Sequence, residues 1–202
     1  YDGSIADDYS GFEVVSHPIS PKALKQINLA DILFKHSDKF KSFHSANCGM
    51  HIHINRDAFN YLHLTKFSYF LNEYKALTHY ISQRRSASEY SSWCRYVKKG
   101  HKKIITDSNY EIKANKKRLK NGDISKIKKG AYGIYSGSRY QVLNLQNTNT
   151  IELRCFKGNL SELGFRKNLE FVEALFYFTE NYSYKELKQN KAVLDFIEYV
   201  NN

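Results

Sequence analysis

Two segments of this chain alternate between apolar and polar residues, and this alternation constrains the fold more than any other feature. Residues 50–55 read Met-His-Ile-His-Ile-Asn, and residues 150–155 read Thr-Ile-Glu-Leu-Arg-Cys. Side chains on a β-strand point to opposite faces in turn, so each segment predicts a strand with one apolar face and one polar face. The chemically active residues on the two polar faces are His51, His53, Glu152 and Arg154.

The rest of the chain predicts a single α+β domain over residues 1–202. Further strands are predicted at 2–5, 11–16 and 140–145, and helices at 21–39, 56–74, 87–97, 160–181 and 184–200. Ser20 and Pro21 suit the cap and first position of the first helix. The expected architecture is an antiparallel sheet with helices packed on one face.

Composition excludes two classes of protein. Hydrophobic residues make up 42% of the chain and charged residues 25%, which is typical of globular domains and not of disordered chains. The longest apolar stretches, such as residues 171–178, are too short to cross a bilayer, which argues against a membrane protein. Three cysteines, Cys48, Cys94 and Cys155, form no disulfide framework, so we expect a reducing, cytoplasmic location.

One basic segment carries almost all of the net charge of +11. Residues 95–130 contain 13 Lys and Arg against three Asp and Glu, whereas the rest of the chain is nearly neutral. Such a segment can contact a polyphosphate, a nucleic acid or another polyanion, or can simply be a solvated surface. We expect it to be an insertion in the domain, or a lid that folds over an anionic substrate.

The polar strand faces predict a metal or phosphate site. Glu13 stands among apolar neighbours in the predicted strand at 11–16, so His51, His53, Glu13 and Glu152 can meet on one side of the sheet. Carboxylates with a phosphate ligand favour Mg²⁺ or Mn²⁺, and histidine favours Mn²⁺ or Zn²⁺. A sheet with one ordinary solvated face remains the alternative.

Four motifs, the first of them made of two short segments, resemble in order those of glutamine synthetase and of the smaller amidoligases related to it. Residues 47–54 resemble the G-x-G-M-H-x-H strand of the glutamine synthetase catalytic domain, and 150–154 resemble its I-E-x-R strand. Residues 2–5 and 11–16 are similar to the opening D-x-S and G-x-E-h-V-S motifs (h is hydrophobic) of the smaller amidoligases. The Arg-Tyr-x-x-x-Asn run at 139–144 is also typical of that group.

The resemblance implies a curved, glutamine synthetase-like sheet and an ATP-dependent carboxylate–amine ligase that works through an acyl phosphate. It implies ATP and Mg²⁺ or Mn²⁺ as cofactors, and an amino acid or amine plus a carboxylate as substrates. Glu13 would hold the metal nearer the acceptor carboxylate. His51 and Glu152 would hold the metal that bridges the nucleotide phosphates, and His53 would reach a phosphate oxygen.

The same resemblance implies roles for five more residues. Arg139 and Arg154 would stabilise the transferring phosphoryl group, with Glu152 beside them as a catalytic residue. Asn144, Asn47 and Gly49 would contact substrate or shape the loop that approaches it. The family also begins with a strand that carries two glutamates, and nothing before Tyr1 supplies it here. We therefore expect a domain that lacks its N-terminal strand, with the activity of this chain alone left open.

Three other functions stay open at this point. A nucleic-acid-binding protein could use the basic segment at 95–130 together with its aromatic neighbours. A catalytically impaired amidoligase-like module would keep the fold without the activity. A metal-dependent hydrolase or dioxygenase could use His51 and His53 in a small barrel, with Asp57 as the carboxylate ligand.

Overall fold

The computed structural model describes residues 11–45, 47–84, 92, 94–97 and 139–202. Its strands are β1 (Gly49–Asn55), β2 (Leu143–Asn144) and β3 (Thr150–Lys157). Its helices are α1 (Pro21–Leu24), α2 (Tyr61–Glu73), α3 (Lys75–Ser82), α4 (Glu162–Asn181), α5 (Tyr184–Leu187) and α6 (Ala192–Asn201). The predicted strand at 2–5, most of the predicted helix at 87–97 and almost all of the basic segment lie outside the described residues.

The strands form an open antiparallel sheet in the order β1-β3-β2. Glu152 on the central strand lies opposite His53 of β1 on one side and opposite Asn144 of β2 on the other. The register between β1 and β3 shifts between Met50 and Ile52, where β3 carries one extra residue as a bulge. Helices and this sheet together confirm the α+β class. The barrel that the hydrolase alternative needs is not present in the described part of the chain.

The core lies between the apolar face of the sheet and the helices α2, α4 and α6. Ile151 and Leu153 of β3 are fully buried, and the ring of Phe156 lies 6.2 Å from that of Phe171 on α4. Phe178, also on α4, is fully buried among the aromatic rings of its neighbours. Burial of such side chains contributes roughly 1.5–3 kcal/mol each, which makes this layer the main source of stability.

The polar residues before the long helices set where those helices begin. The side chain of Asn60 accepts a hydrogen bond from the backbone N–H of His63 at 2.8 Å, so α2 begins at Tyr61 and not at residue 56. The side chain of Ser161 caps α4 in the same way. In the described residues, no helix has both the length and the apolar composition needed to cross a membrane.

Two predictions for the first 40 residues are wrong. Residues 11–16 form no strand: Phe12, Val14 and Val15 are 58%, 64% and 79% exposed, and the segment pairs with no described strand. The predicted helix at 21–39 is only the short α1 and two separate turns, although Ser20 caps α1 as expected. Leu29 is the one buried residue in that range, and helices gain most of their stability from a packed face.

Three further predictions need correction. The strand predicted at 140–145 is reduced to Leu143 and Asn144. The helix predicted at 56–74 begins at Tyr61, after a separate short turn at Arg56–Ala58. The helix predicted at 184–200 is broken between α5 and α6, and near this break the hydroxyl of Tyr74 contacts the carbonyl oxygens of Leu187 and Gln189.

Candidate functional site

Glu152 is the centre of the polar face of the sheet. It is 4% exposed, on the central strand, and its two neighbouring strands reach it from both sides. The alternation of β3 directs Glu152 and Arg154 to the same face, and the alternation of β1 does the same for His51 and His53. A buried carboxylate is unfavourable unless other polar groups compensate it, so its partners define the site.

Three basic side chains face one oxygen of Glu152. Oε1 lies 2.5 Å from Nη1 of Arg154, 3.2 Å from Nδ1 of His51 and 3.9 Å from Nε2 of His53. The first contact is a short, charge-assisted hydrogen bond. Of the side chains that the sequence predicted to meet, His51, His53 and Glu152 lie together with Arg154 beside them, although the two strands are about a hundred residues apart along the chain. Glu13, predicted to join them, does not.

The other oxygen of Glu152 accepts hydrogen bonds from two amides. Nδ2 of Asn144 lies 2.7 Å from Oε2, and Nδ2 of Asn147 lies 3.3 Å from it. The backbone N–H of Gln146 donates to Oδ1 of Asn144 at 3.0 Å, which orients that amide. Both oxygens of the carboxylate are thus held, and its plane is fixed.

The surroundings favour an ionised Glu152 and a neutral His51. Burial would raise the pKa of Glu152, but the hydrogen bond from Asn144 and the charges of Arg154 and the histidines outweigh it and lower that pKa. Burial, with the charge of Arg154, lowers the pKa of His51 to about 4, although Glu152 opposes the shift. A neutral imidazole that contacts a carboxylate carries its proton on that side, which leaves Nε2 of His51 as an acceptor.

Arg154 and Arg139 are held by one aromatic ring. The guanidinium carbons of Arg139 and Arg154 lie 5.0 Å and 5.6 Å from the ring centroid of Tyr140. Nε of Arg154 is buried and has no hydrogen-bond partner among the described residues. An oxygen of a bound phosphate or carboxylate would satisfy it, which fits an oxyanion at this position.

His53 is the most accessible member of the cluster. Its side chain is 46% exposed, and Nδ1 lies 3.0 Å from Oγ1 of Thr150 on the neighbouring strand. Thr150 therefore fixes the ring with Nε2 directed to the Glu152 side. An exposed imidazole with one nitrogen anchored can reach a ligand oxygen with the other.

The buried guanidinium of Arg84 leaves no room for a side chain at Gly49. A Cβ on Gly49 would lie 2.8 Å from Nη2 of Arg84 and 3.4 Å from Nε2 of His51. Arg84 donates from Nε to the carbonyl oxygen of Cys155 at 3.0 Å and from Nη2 to that of Phe156 at 3.2 Å. Arg84 thus supports the bulged part of β3.

The structure does not bring Glu13 and Asn47 into the cluster. Glu13 is exposed, and it makes no hydrogen bond or ion pair among the described residues. Asn47 precedes β1, and its backbone N–H donates to the hydroxyl of Ser45 at 3.3 Å. Their roles at the site stay predictions.

The cluster offers donor types that suit a divalent ion, but the described residues offer too few of them. Two imidazoles and one carboxylate are suitable ligands for Mn²⁺ or Zn²⁺. In the part of the chain that the structure describes, however, no three His, Cys, Asp or Glu side chains are grouped so that they could hold a metal. The cluster as it stands is suited to bind an oxyanion beside a fixed carboxylate.

Sequence reasoning missed three residues that support the cluster. Thr150 could have been found, because it shares a strand face with Glu152 and the register places it close to His53. Asn147 lies in the polar turn between β2 and β3. Only its amide side chain suggested a role beyond that of an ordinary turn residue. Arg84 had no signal, since a pair of arginines in a polar stretch is ordinary.

Comparison with known proteins gives one result. The family model described as "Putative amidoligase enzyme" matches residues 2–176 of the chain. No curated protein and no solved structure matches it. The family match covers both strands that carry the cluster, and also the turn between β2 and β3.

Proposed function

Since the chain belongs to the amidoligase family, we propose that it joins a carboxylate to an amine and that ATP supplies the free energy. Amide formation in water is unfavourable unless the carboxylate is first activated. A carboxylate oxygen attacks the γ-phosphorus of ATP and ADP leaves, which gives an acyl phosphate. The amine then attacks the acyl carbon, inorganic phosphate leaves, and the amine nitrogen loses a proton.

The observation that carries this proposal is the convergence on Glu152 of two imidazoles, a guanidinium and two amides. Phosphoryl transfer depends mostly on positioning and on neutralisation of charge. Arg154, with its buried Nε still able to donate, binds an oxygen of the transferring phosphoryl group. Arg139, whose guanidinium contacts the same Tyr140 ring, binds a second oxygen. His53, at the exposed edge of the cluster, reaches a phosphate oxygen.

Glu152 and His51 are the residues that would hold Mg²⁺ or Mn²⁺. A bound divalent ion would neutralise the charge of the phosphate oxygens during transfer. The lowered pKa values of both groups support this assignment, because a ligand must be free of its proton. A glutamine synthetase-like arrangement would add Glu13 from the segment at 11–16, and Asn144, Asn47 and Gly49 would line the substrate side.

Release of ADP tests the proposal. The 202-residue chain is incubated with ATP, Mg²⁺ or Mn²⁺, a panel of amino acids and small amines, and a panel of carboxylates. We expect ADP release that requires both a carboxylate and an amine. Loss of one well-placed charge in such a site costs about 10²- to 10³-fold in rate, and Glu152→Ala should show a loss of that size.

Glu170→Ala is the matched control, because Glu170 is an exposed glutamate on α4. It should release ADP at the wild-type rate. If no substrate pair gives ADP release above that of ATP alone, or if Glu152→Ala is as active as Glu170→Ala, the proposal is wrong.

A further inference from the structure

We propose that Arg56 is a positioning residue for Glu152 and acts through the turn at 145–149. This inference rests on the proposed function, because it concerns the carboxylate to which that function is assigned. Arg56 follows directly after β1 and is only 6% exposed. It does not contact the cluster itself, and nothing in the motifs of the chain marks it.

Arg56 holds the turn between β2 and β3 by three hydrogen bonds. Its Nη2 donates to the carbonyl oxygen of Leu145 at 2.5 Å and to that of Asn147 at 2.7 Å. Its backbone N–H donates to the carbonyl oxygen of Asn149 at 3.0 Å. The guanidinium therefore lies beneath the turn and fixes its path from one side.

The same turn contacts Glu152 from its other side. The carbonyl of Asn147 accepts from Arg56, while its side-chain Nδ2 lies 3.3 Å from Oε2 of Glu152. Nδ2 of Asn147 also lies 3.5 Å from Oγ1 of Thr150, and Thr150 contacts His53. One residue of the turn thus links Arg56 to the carboxylate and, through Thr150, to the exposed imidazole.

The consequence is a fixed orientation of Glu152. With Oε2 held by Asn147 and Asn144, Oε1 is the oxygen that faces the basic side chains. A turn that shifted by less than 1 Å would lose the 3.3 Å contact and leave Asn144 as the only amide on Oε2. Residues that orient a ligand or catalytic group from behind typically change affinity or activity by about 10- to 100-fold when they are replaced.

An alternative is that Arg56 only ties β1 to the turn as a structural brace. The two roles differ in their coupling to Asn147. If Arg56 acts through Asn147, then removing either residue removes the same effect, and removing both adds nothing further. If Arg56 is only a brace, the effects of the two substitutions are independent and add.

A double-mutant cycle distinguishes the positioning role of Arg56 from the purely structural one. Arg56→Lys keeps the positive charge, but its side chain is one atom shorter, so Nζ falls short of the position from which Nη2 donates to both carbonyl oxygens. We expect Arg56→Lys and Asn147→Ala each to lower kcat for ADP release about 10- to 100-fold, and the double variant to lose no more than the worse single variant. Arg166→Lys is the control, since Arg166 forms a surface pair with Glu162, and it should match the wild type.

A second readout does not depend on activity. The side-chain amide of Asn144 donates from Nδ2 to Glu152 and accepts at Oδ1 from the backbone N–H of Gln146, so the nuclear magnetic resonance signal of its Nδ2 protons reports the contact with the carboxylate. We expect this signal to move in Arg56→Lys and to move to the same place in Asn147→Ala. Asn147 lies on a half-exposed turn, so Asn147→Ala folds even if Arg56→Lys does not.

Additive losses in kcat, or an Asn144 signal that stays at its wild-type position in both variants, would overturn the positioning role. A wild-type chain without ligase activity would overturn the proposed function instead. In that case the Asn144 signal still decides whether Arg56 orients Glu152.

Discussion

Nη1 of Arg154 lies 2.5 Å from Oε1 of Glu152, and a single residue separates the two along β3. Both side chains are less than one-tenth exposed, so each depends on the other for compensation of its charge. Because residues two apart on a strand share a face, the strand supplies both members of the pair by itself. His51 and His53 from β1 and Asn144 from β2 then complete the surroundings of a carboxylate that is already ionised.

Loss of Arg154 should destabilise the protein strongly. Removal of one partner from a buried ion pair typically costs about 3–5 kcal/mol, because the other charge stays buried without compensation. We expect Arg154→Met to lower the free energy of unfolding by about that amount at pH 7. Arg166→Met breaks an i,i+4 surface pair with Glu162 and should cost about 0.5 kcal/mol or less. Urea unfolding of both variants measures the difference.

The cost of Arg154→Met should also depend on pH. Glu152 has a lowered pKa in the folded wild type, so it contributes stability at neutral pH that is lost as the pH falls through its folded pKa. Without the guanidinium this contribution disappears, and protonation relieves the buried charge. The deficit of the variant should therefore shrink between pH 7 and pH 4, and a constant deficit would contradict the role given to this pair.

His63 gives a second pH-dependent prediction. It is buried between α2 and α4, where Nε2 lies 2.9 Å from the carbonyl oxygen of Phe176, and burial lowers its pKa although Phe176 and Glu180 oppose the shift. The nearby Lys66 also lowers that pKa. A histidine with a lowered folded pKa takes up its proton first in the unfolded chain. Stability should therefore fall as the pH drops below about 6.5, the ordinary pKa of histidine.

His63→Gln should flatten this fall, measured by urea unfolding between pH 8 and pH 5. His51 contributes a slope of the same sign, because its pKa is also lowered, so the test is the difference between wild type and variant. His36→Gln alters an exposed histidine and should keep the full wild-type slope. A slope that is identical in wild type and His63→Gln would contradict the prediction.

The aromatic core supplies a prediction on stability alone. Phe178 is fully buried, with its ring centroid 5.2 Å from that of Phe196 and 4.0 Å from that of Tyr182. Phe178→Ala leaves a cavity in this layer and should cost about 3–5 kcal/mol. Leu194→Ala on the exposed side of α6 should stay within about 0.5 kcal/mol. Equal losses measured by thermal unfolding would show that the core lies elsewhere.

The polar cluster could be predicted because alternation along a strand is a local property. The pattern of residues 50–55 fixes the face of His51 and His53, and that of 150–155 fixes the face of Glu152 and Arg154. Pairing of the two strands then needs only the apolar faces to meet the same helices. The bulge in β3 was not predictable from the alternation of either strand; Arg84 donates to carbonyl oxygens of this part of β3.

The wrong predictions of secondary structure share one cause. The segments at 11–16 and 21–39 have suitable residues for a strand and a helix, but their side chains find little apolar surface to pack against. Local preference is worth tenths of a kcal/mol per residue, and tertiary packing decides which segments become regular.

Transfer of labelled oxygen tests the central claim most directly. A carboxylate substrate that supports ADP release is prepared with ¹⁸O in both carboxyl oxygens, and the inorganic phosphate released with the amide is analysed by mass spectrometry. If the carboxylate is activated as an acyl phosphate, each phosphate carries one ¹⁸O atom, and Glu152→Ala slows label transfer and ADP release together. Phosphate that contains no ¹⁸O while the amide forms would contradict the account.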